Sequence, residues 1–346
     1  MTERVSSPLL TIAIPTWNRA AFLALNLERL SQEGLNSWGL VEVLVSDNAS
    51  SDDTPRVVSE AVAGGMPIRY VRNAENIGSD ANIAQCFNLA LGKYVLILGD
   101  DDLFVDGALQ LLLERLAPGD YGVVCLRPYG FESDFRREYP GSTAGRERVF
   151  RDAGAFLAAI GPLMTLISSC AISKQLLPKV DARQFCGDNL VQVHLVLRAA
   201  LAARENLFLD RYLIACKRNN SGGYDFSQVF VSNLGAVLDS CKPRGLTESA
   251  ILAIESRLML AYYPFYLLRQ RLAKSGDLHA TLARFEARFH GRFLFNYWLV
   301  PIMRLPRPLG ILWGGMATVI GRVLNGDLRR GMAFAWNRLL SGGRGA

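Results

Sequence analysis

Residues 94–109 read YVLILGDDDLFVDGAL, and the way this stretch is read decides the fold. Tyr94–Leu98 is a short, continuous apolar run, the pattern of a strand covered on both faces of a sheet. Gly99 breaks the run, and Asp100, Asp101 and Asp102 follow at the carboxyl end of that strand. Three adjacent carboxylates repel one another. The fold must therefore supply a divalent cation, a basic group or free access to water. Asp102 or Asp106 could cap the next helix, since acidic residues suit a helix N-terminus. Capping uses one or two of the three. A hard cation such as Mg2+ or Mn2+ takes oxygen ligands, commonly carboxylates together with phosphate oxygens, and would employ them as a group.

Working outward, the same strand pattern recurs at LLTIAI (9–14), VEVLVS (41–46), PIRYVR (67–72) and YGVVCL (121–126). Amphipathic stretches near 19–33, 54–63, 80–91 and 106–116 separate them. This alternation predicts a doubly wound, mostly parallel α/β sheet with right-handed crossovers. Ligands bind such sheets at the carboxyl ends of the strands, and the polar clusters fall there: PTWNR after the first, DNASSDD after the second, NAENIGSDAN after the third, GDDD after the fourth. Residues 127–150 are polar and rich in turn formers, which predicts an excursion from the core. The rhythm resumes with a strand at 165–173, a helix at about 189–204 and a strand at 207–217. The glycine-bearing loop RNNSGGYDF (218–226) follows.

Each polar cluster has a functional and a structural reading. Pro15 ends the first ladder, Trp17 offers a flat face to a base and Arg19 can pair with phosphate. Equally, Asn18 can cap helix 19–33. Asp47 and Asn48 stand at the second strand end, where they can meet a base or ribose, although Asx-rich turns are common. Gly78 permits close backbone approach and Asn82 offers an amide, or both belong to an ordinary helix start. Arg218 is a candidate phosphate contact. His194, flanked by valines and leucines, reads as a satisfied core histidine.

Taken in order, PTWNR, DNASSDDT, NIGSDAN and LGDDD resemble the nucleotide-sugar glycosyltransferases of family 2, which have the GT-A fold. The resemblance covers roughly residues 9–220. It implies that Pro15, Thr16, Trp17, Arg19, Asp47 and Asn48 hold the nucleotide, with Gly78 and Asn82 at its outer edge. It also implies that the acidic triplet is a DxD motif whose Mg2+ or Mn2+ bridges the diphosphate. The commonest family form is Leu-Asp-x-Asp-Asp, whereas Gly99 stands here at the first aspartate. The motif then becomes Asp100-x-Asp102 with Asp101 as a direct ligand, a form that resembles the abequosyltransferase-like branch of O-antigen enzymes. Family members that invert the sugar use a carboxylate at the start of a later helix as general base. CGDNLVQVHLVL supplies Asp188 in that place, where it is also a good helix cap.

The net charge of +6 conceals an asymmetry: residues 251–346 hold 14 Lys/Arg against 4 Asp/Glu, and residues 1–250 hold 24 against 28. The basic part also carries Trp298, Trp313 and Trp336. Arg284, Arg288 and Arg292 form a stripe beside Leu278, Leu282, Phe285, Phe289 and Phe293 at helical spacing. The uncharged stretches 293–303 and 308–321 are shorter than the ~20 residues that span a bilayer, and Pro301, Pro306 and Pro308 interrupt them. A cationic, aromatic tail of this kind predicts an anionic membrane surface met from one side rather than nucleic acid. A packed helical subdomain or a homo-oligomer interface is the alternative. Six scattered cysteines without a CxxC pair predict a reducing compartment. No leader pattern precedes the first strand.

The expectation is a GT-A type α/β chain: a nucleotide-sugar half at 1–126, an acceptor half at 127–226 and a helical, basic, membrane-associating region at 227–346. It would act at the cytoplasmic face of the cell membrane as a metal-dependent, inverting hexosyl or deoxyhexosyl transferase. Its donor would be a nucleotide sugar and its acceptor a saccharide, lipid-linked or otherwise, in O-antigen or other surface-polysaccharide synthesis. A non-catalytic nucleotide-sugar-binding protein is the competing reading.

Overall fold

The structure is a computed structural model and describes residues 7–34, 39–141, 145–218, 223–273 and 276–324. The chain divides into two units, Met1–Ser221 and Gly222–Ala346.

The first unit alternates β1 (Leu10–Thr16), α1 (Ala20–Gly34), β2 (Val41–Asp47), α2 (Thr54–Ala63), β3 (Ile68–Arg72), α3 (Ser79–Leu89) and β4 (Tyr94–Ile97). It continues with β5 (Leu103–Phe104), α4 (Ala108–Leu116), β6 (Val123–Phe131), β7 (Glu147–Phe150), α5 (Ala153–Ile160), β8 (Cys170–Ser173), α6 (Val191–Ala202) and β9 (Asn206–Lys217). All join one sheet in the order β3-β2-β1-β4-β8-β6-β9-β5, with β7 paired to β9. β1 to β4, β6 and β9 run in one direction, and β5, β7 and β8 oppose them. The sheet is doubly wound and mostly parallel. Its direction of winding reverses between β1 and β4, which pair directly from Leu10↔Tyr94 to Ala13↔Ile97. Leu23, Leu27 and Leu30 of α1 recur on one helical face and pack with Leu109, Leu112 and Leu116 of α4 over Ile12, Val43 and Leu96.

Four local expectations change. Pro15 does not end β1, which runs on to Thr16 paired with Asp47. Residues 127–131 continue β6, pairing with Tyr212–Lys217 of β9 after a register shift at Arg127, and 147–150 form β7. The excursion between them is closed by Glu138, whose carboxylate accepts the N–H groups of Glu132, Ser133 and Asp134. Within 165–173 only Cys170–Ser173 is a strand. The preceding residues make short 3-10 turns in which the Ser169 hydroxyl donates to the Leu166 carbonyl, satisfying locally what a ladder would otherwise satisfy. Neither Asp102 nor Asp106 caps α4. Gly107, at φ 75°, holds the cap position and Glu33 accepts its N–H at 3.0 Å.

The second unit comprises α7 (Leu234–Ser240), α8 (Glu248–Ala261), α9 (Tyr263–Ala273), α10 (Leu278–Phe289), α11 (Val300–Arg304) and α12 (Arg307–Leu324). Tyr263, Phe285, Phe289, Phe295 and Leu299 are buried at its centre. The arginine stripe at 284, 288 and 292, on and just beyond α10 and expected to face anionic headgroups, is used inside this unit. Arg284 pairs with Asp225 at 2.9 Å, while Arg288 and Arg292 meet the buried Glu255 at 2.7 and 2.5 Å. A buried carboxylate needs such partners. Among the described residues one helical stretch, Glu248–Ala273, is long and apolar enough to cross a membrane, and 44% of its most apolar 18 residues is buried. Trp336 and the arginines beyond 324 lie outside the described residues.

α12 reverses the usual pattern of an amphipathic helix. Its inner face carries Gly310, Gly314, Ala317 and Gly321, all buried. A Cβ on Gly321 would lie 2.3 Å from the Leu260 carbonyl, so only glycine permits that contact. Its outer face carries Leu309, Leu312, Met316, Val319, Ile320, Val323 and Leu324, all exposed, with Leu312 at 72%.

Candidate active site

Where the winding reverses, the end of β1 meets the turn that follows β4. The Thr16 hydroxyl donates to Asp100 Oδ2 at 2.8 Å. Arg19 places Nε 2.9 Å from Asp100 Oδ1 and Nη2 2.6 Å from Asp101 Oδ2, its guanidinium also lying 4.8 Å from the Phe22 ring centre. A guanidinium thus stands against two of the three adjacent carboxylates. Asn26 of α1 fixes the acidic turn by donating to the carbonyls of Gly99 (3.1 Å) and Asp102 (2.6 Å). Asp102 is turned away from its neighbours. Its carboxylate accepts the Ser168 hydroxyl and, at 3.2 Å, the Lys217 N–H.

Burial pushes Asp100 up to about 6, with Arg19 opposing, and burial aided by the Asp101 charge pushes Asp102 up to about 7. Both values lie above the ordinary 3.8, so the folded chain binds more protons than the unfolded chain between 3.8 and about 7. Stability carried by these groups is therefore present at low pH and lost as pH rises through that window. Asp102→Asn, which can still accept from Ser168 and Lys217, should gain stability relative to the parent from pH 5 to pH 8. Urea unfolding at several pH values measures this, and a pH-independent difference between the two proteins refutes it.

The end of β2 is similarly committed. Asp47 is fully buried and accepts from Ser50 N (2.8 Å) and the Tyr70 hydroxyl (2.5 Å), with Arg72 Nε at 3.4 Å. Burial, with the Asp47 charge, holds the Tyr70 hydroxyl well above its usual range. The Asn48 amide ties the 73–78 loop to the sheet by donating to Asn76 Oδ1 (2.8 Å) and accepting from Ile77 N (2.9 Å). Gly78 precedes α3 at φ 87°, with open space where a side chain would stand. Asn82 is turned to the sheet, exchanging hydrogen bonds with Ser46 at 2.6 and 3.0 Å. Asn18 does not cap α1. It accepts from Ser51 N at 2.7 Å, and Asp52 takes the Ala20 N–H instead. Trp17 stands half exposed beside this network. Arg218 follows β9 and reaches Glu138 at 3.6 Å.

Asp188 stands ahead of α6, in a loop held against α3. It is flanked by Gly187 (φ 113°) and Asn189 (φ 62°), two left-handed residues. Both of their N–H groups donate to Asp80 Oδ2 on α3, at 2.8 and 3.0 Å. α6 begins at Val191, so Asp188 lies ahead of its cap position and instead accepts the Leu190 N–H at 2.9 Å. Its second oxygen lies 2.7 Å from His194 Nε2. Gln192 of the same helix donates to the Thr165 carbonyl at 2.8 Å, three residues before the Ser168 that holds Asp102. The Asp188 loop and the acidic turn are thereby tied to one segment. Nothing in the sequence singles out Ser168, Tyr70 and Asp80, whose partners are remote in the chain, and the apolar neighbours of His194, which read as a core histidine, hide its contact with Asp188.

Asp100 and Asp101 converge on Arg19 and offer two carboxylates, which with diphosphate oxygens suit a hard divalent ion. Asp102 faces Ser168 instead. Among the described residues no group of three or more His, Cys, Asp and Glu side chains converges to hold a metal unaided. A cleft of about 350 Å3 opens beside Asp101, between Phe22, Leu25 and Arg29 of α1 and Phe131, Phe135 and Arg136.

The family described as glycosyl transferase family 2 matches residues 11–180. Abequosyltransferase RfbV of Salmonella typhimurium is 36% identical over 106 residues, 30% of this chain and 31% of that protein. The GalNAc(5)-diNAcBac-PP-undecaprenol beta-1,3-glucosyltransferase of Campylobacter jejuni is 31% identical over 113 residues, 32% of this chain and 36% of that protein. The match thus spans about a third of each relative's length. Among solved structures, S. aureus TarS 1-349 in complex with UDP-GlcNAc superposes with a TM-score of 0.61 at 13% identity, covering 92% of both chains. The mannosyltransferase PcManGT from Pyrobaculum calidifontis, in complex with GDP-Man and Mn2+, gives 0.51 at 18% identity, covering 92% of this chain and 87% of that one. The shared architecture is the GT-A fold.

Proposed function

Because the chain belongs to glycosyl transferase family 2 through residues 11–180, we propose that it transfers a sugar, with inversion, from a nucleotide-sugar donor to a lipid-linked saccharide acceptor. The observation that carries this reading is the meeting of Thr16, Arg19, Asp100 and Asp101 at the β1/β4 reversal, where open α/β sheets bind their ligands. Asp47, Asn48 and Trp17 at the neighbouring strand end would hold the base and ribose. Arg19, the cation nearest the acidic turn, would meet the diphosphate.

In the reaction the acceptor hydroxyl oxygen bonds to the anomeric carbon while the bond from that carbon to the β-phosphate oxygen breaks. The hydroxyl proton passes to Asp188, and the nucleoside diphosphate departs with the electron pair. Mg2+ or Mn2+ held by Asp100 and Asp101 would supply positive charge to the departing phosphate. A panel of UDP-, GDP-, CDP- and dTDP-sugars tests the reading. One donor class should raise the melting temperature and be hydrolysed faster with Mn2+ than with EDTA. Failure of every donor to stabilise the protein or to be hydrolysed overturns it.

The lipid-linked acceptor and a location at the cytoplasmic membrane face rest on α12. A helix that packs glycines inward and aliphatics outward suits a lipid surface better than water. Arg269, Arg304 and Arg307 are exposed in the same unit, as anionic headgroups require. The Campylobacter relative is named for an undecaprenol-linked acceptor, which accords with this. The full chain should float with phosphatidylglycerol vesicles and remain partly bound in high salt, because buried aliphatic surface resists screening. Leu312→Glu with Val319→Glu should weaken binding by about tenfold or more. No vesicle binding by the parent at low salt would return the face to a packing or dimer role.

A further inference from the structure

His194 was read from its neighbours as a core residue, yet its ring is built into a polar stack with a defined direction. It lies flat against Phe185, with ring centres 4.6 Å apart and 8° between planes. Nε2 lies 2.7 Å from Asp188 Oδ2, and Nδ1 lies 3.4 Å from Arg198 Nη1, one helical turn further along α6. The Arg198 guanidinium also covers Phe185, 4.2 Å from its ring centre. Asp80 clamps the backbone on both sides of Asp188.

The donor and acceptor inventory then leaves one arrangement. A guanidinium has only N–H donors and cannot accept. Opposite Arg198, Nδ1 must therefore be the accepting nitrogen, so the ring proton sits on Nε2 and points at Asp188. The hydrogen bond made by one imidazole nitrogen decides which tautomer the other presents. A ring protonated on Nδ1 would set N–H against N–H at Arg198.

We propose that Arg198 and His194 act as positioning residues that hold the Asp188 carboxylate by a neutral hydrogen bond, so that it keeps its charge and its orientation for the acceptor hydroxyl. This rests on the reading of Asp188 as the base. One oxygen is fixed by Leu190 N and the other by His194 Nε2–H, so the carboxylate cannot rotate. A cationic partner in the same place would neutralise the base, and an apolar one would leave it free to turn. Phe185 sets the plane of the imidazole and so completes the stack.

The test uses the full-length protein and needs no substrate for its first arm. The chain has three histidines, His194, His279 and His290, and comparison with His194→Gln assigns the signal of interest. Imidazole 15N NMR near neutral pH should show His194 protonated on Nε2 and bare at Nδ1. Nε2 keeps its proton toward the carboxylate in every variant, but Arg198→Met, which removes the donor that holds Nδ1 bare, should let a proton onto Nδ1 as well, and Arg198→Lys, which keeps a donor, should exclude it again. In the second arm, turnover of whichever nucleotide sugar stabilises the protein should fall about tenfold in Arg198→Met with KM for the donor unchanged. The lysine variant should recover most of the loss. A proton on Nδ1 in the parent, or a methionine variant with unaltered tautomer and turnover, overturns the proposal. Undiminished turnover in Asp188→Asn would instead overturn the assignment of the base, while the NMR result on the tautomer would stand. Melting temperatures within a few degrees of the parent separate a lost orientation from a lost fold.

Discussion

Asp101→Ala is expected to lower metal-stimulated turnover by about 100- to 1,000-fold, the usual consequence of removing one group that stabilises developing charge. Of the three aspartates, Asp101 is the one that lines the open cleft, where it pairs with the solvent-reachable Arg19. Asp100 is more deeply set and shares Thr16. Alanine at 101 also removes a like charge from beside Asp102, whose proton affinity the Asp101 charge helps to raise. The folded state should therefore be no less stable near neutral pH, and the loss of turnover will not be a loss of structure. Initial rates over a Mn2+ titration, with a thermal melt of the same preparation, measure both. Turnover within about threefold of the parent at limiting Mn2+ would place the metal, or the need for one, elsewhere.

Asp188→Asn is expected to cost about 100- to 10,000-fold in turnover, the usual contribution of general acid–base catalysis. Asparagine keeps an oxygen that can accept the Leu190 N–H now held at 2.9 Å, so the turn before α6 should survive. What asparagine lacks is a charge to take the acceptor proton. It also offers His194 a choice of oxygen or amide, and so loosens the pair measured at 2.7 Å. The loss should appear in kcat with the donor KM little changed, because the donor's diphosphate lies with Arg19 and the acidic turn in the proposed site. Activity near the parent's would reduce Asp188 to a turn-forming residue.

Several features were legible because their causes are local. Apolar runs of five or six residues alternating with amphipathic stretches led to the sheet, and α2 lies at 54–63 as the pattern indicated. The polar clusters fall at the carboxyl ends of β1, β2 and β4 because turn-forming residues must end a buried strand. The resemblance to family 2 rested on those clusters in their order, and the GT-A architecture is present.

The direction in which each polar side chain points belonged to the tertiary structure. Asp100, Asp101 and Asp102 are indistinguishable as letters, yet two face Arg19 and one faces Ser168, because the turn pinned by Asn26 sends successive side chains to different sides. Thr16 and Asp100 are 84 positions apart in the chain and 2.8 Å apart in space. No local periodicity encodes such a pairing. The reversed β8, the internal use of the α10 arginines by Glu255, and His194 on Asp188 arise in the same way, since each buried polar group takes whatever partner the packed chain brings within reach. The apolar length of α12 was plain in the sequence. Its inside-out arrangement was not, because only packing against a neighbouring backbone, at Gly321 against Leu260, turns the glycines inward and leaves the aliphatic residues outside.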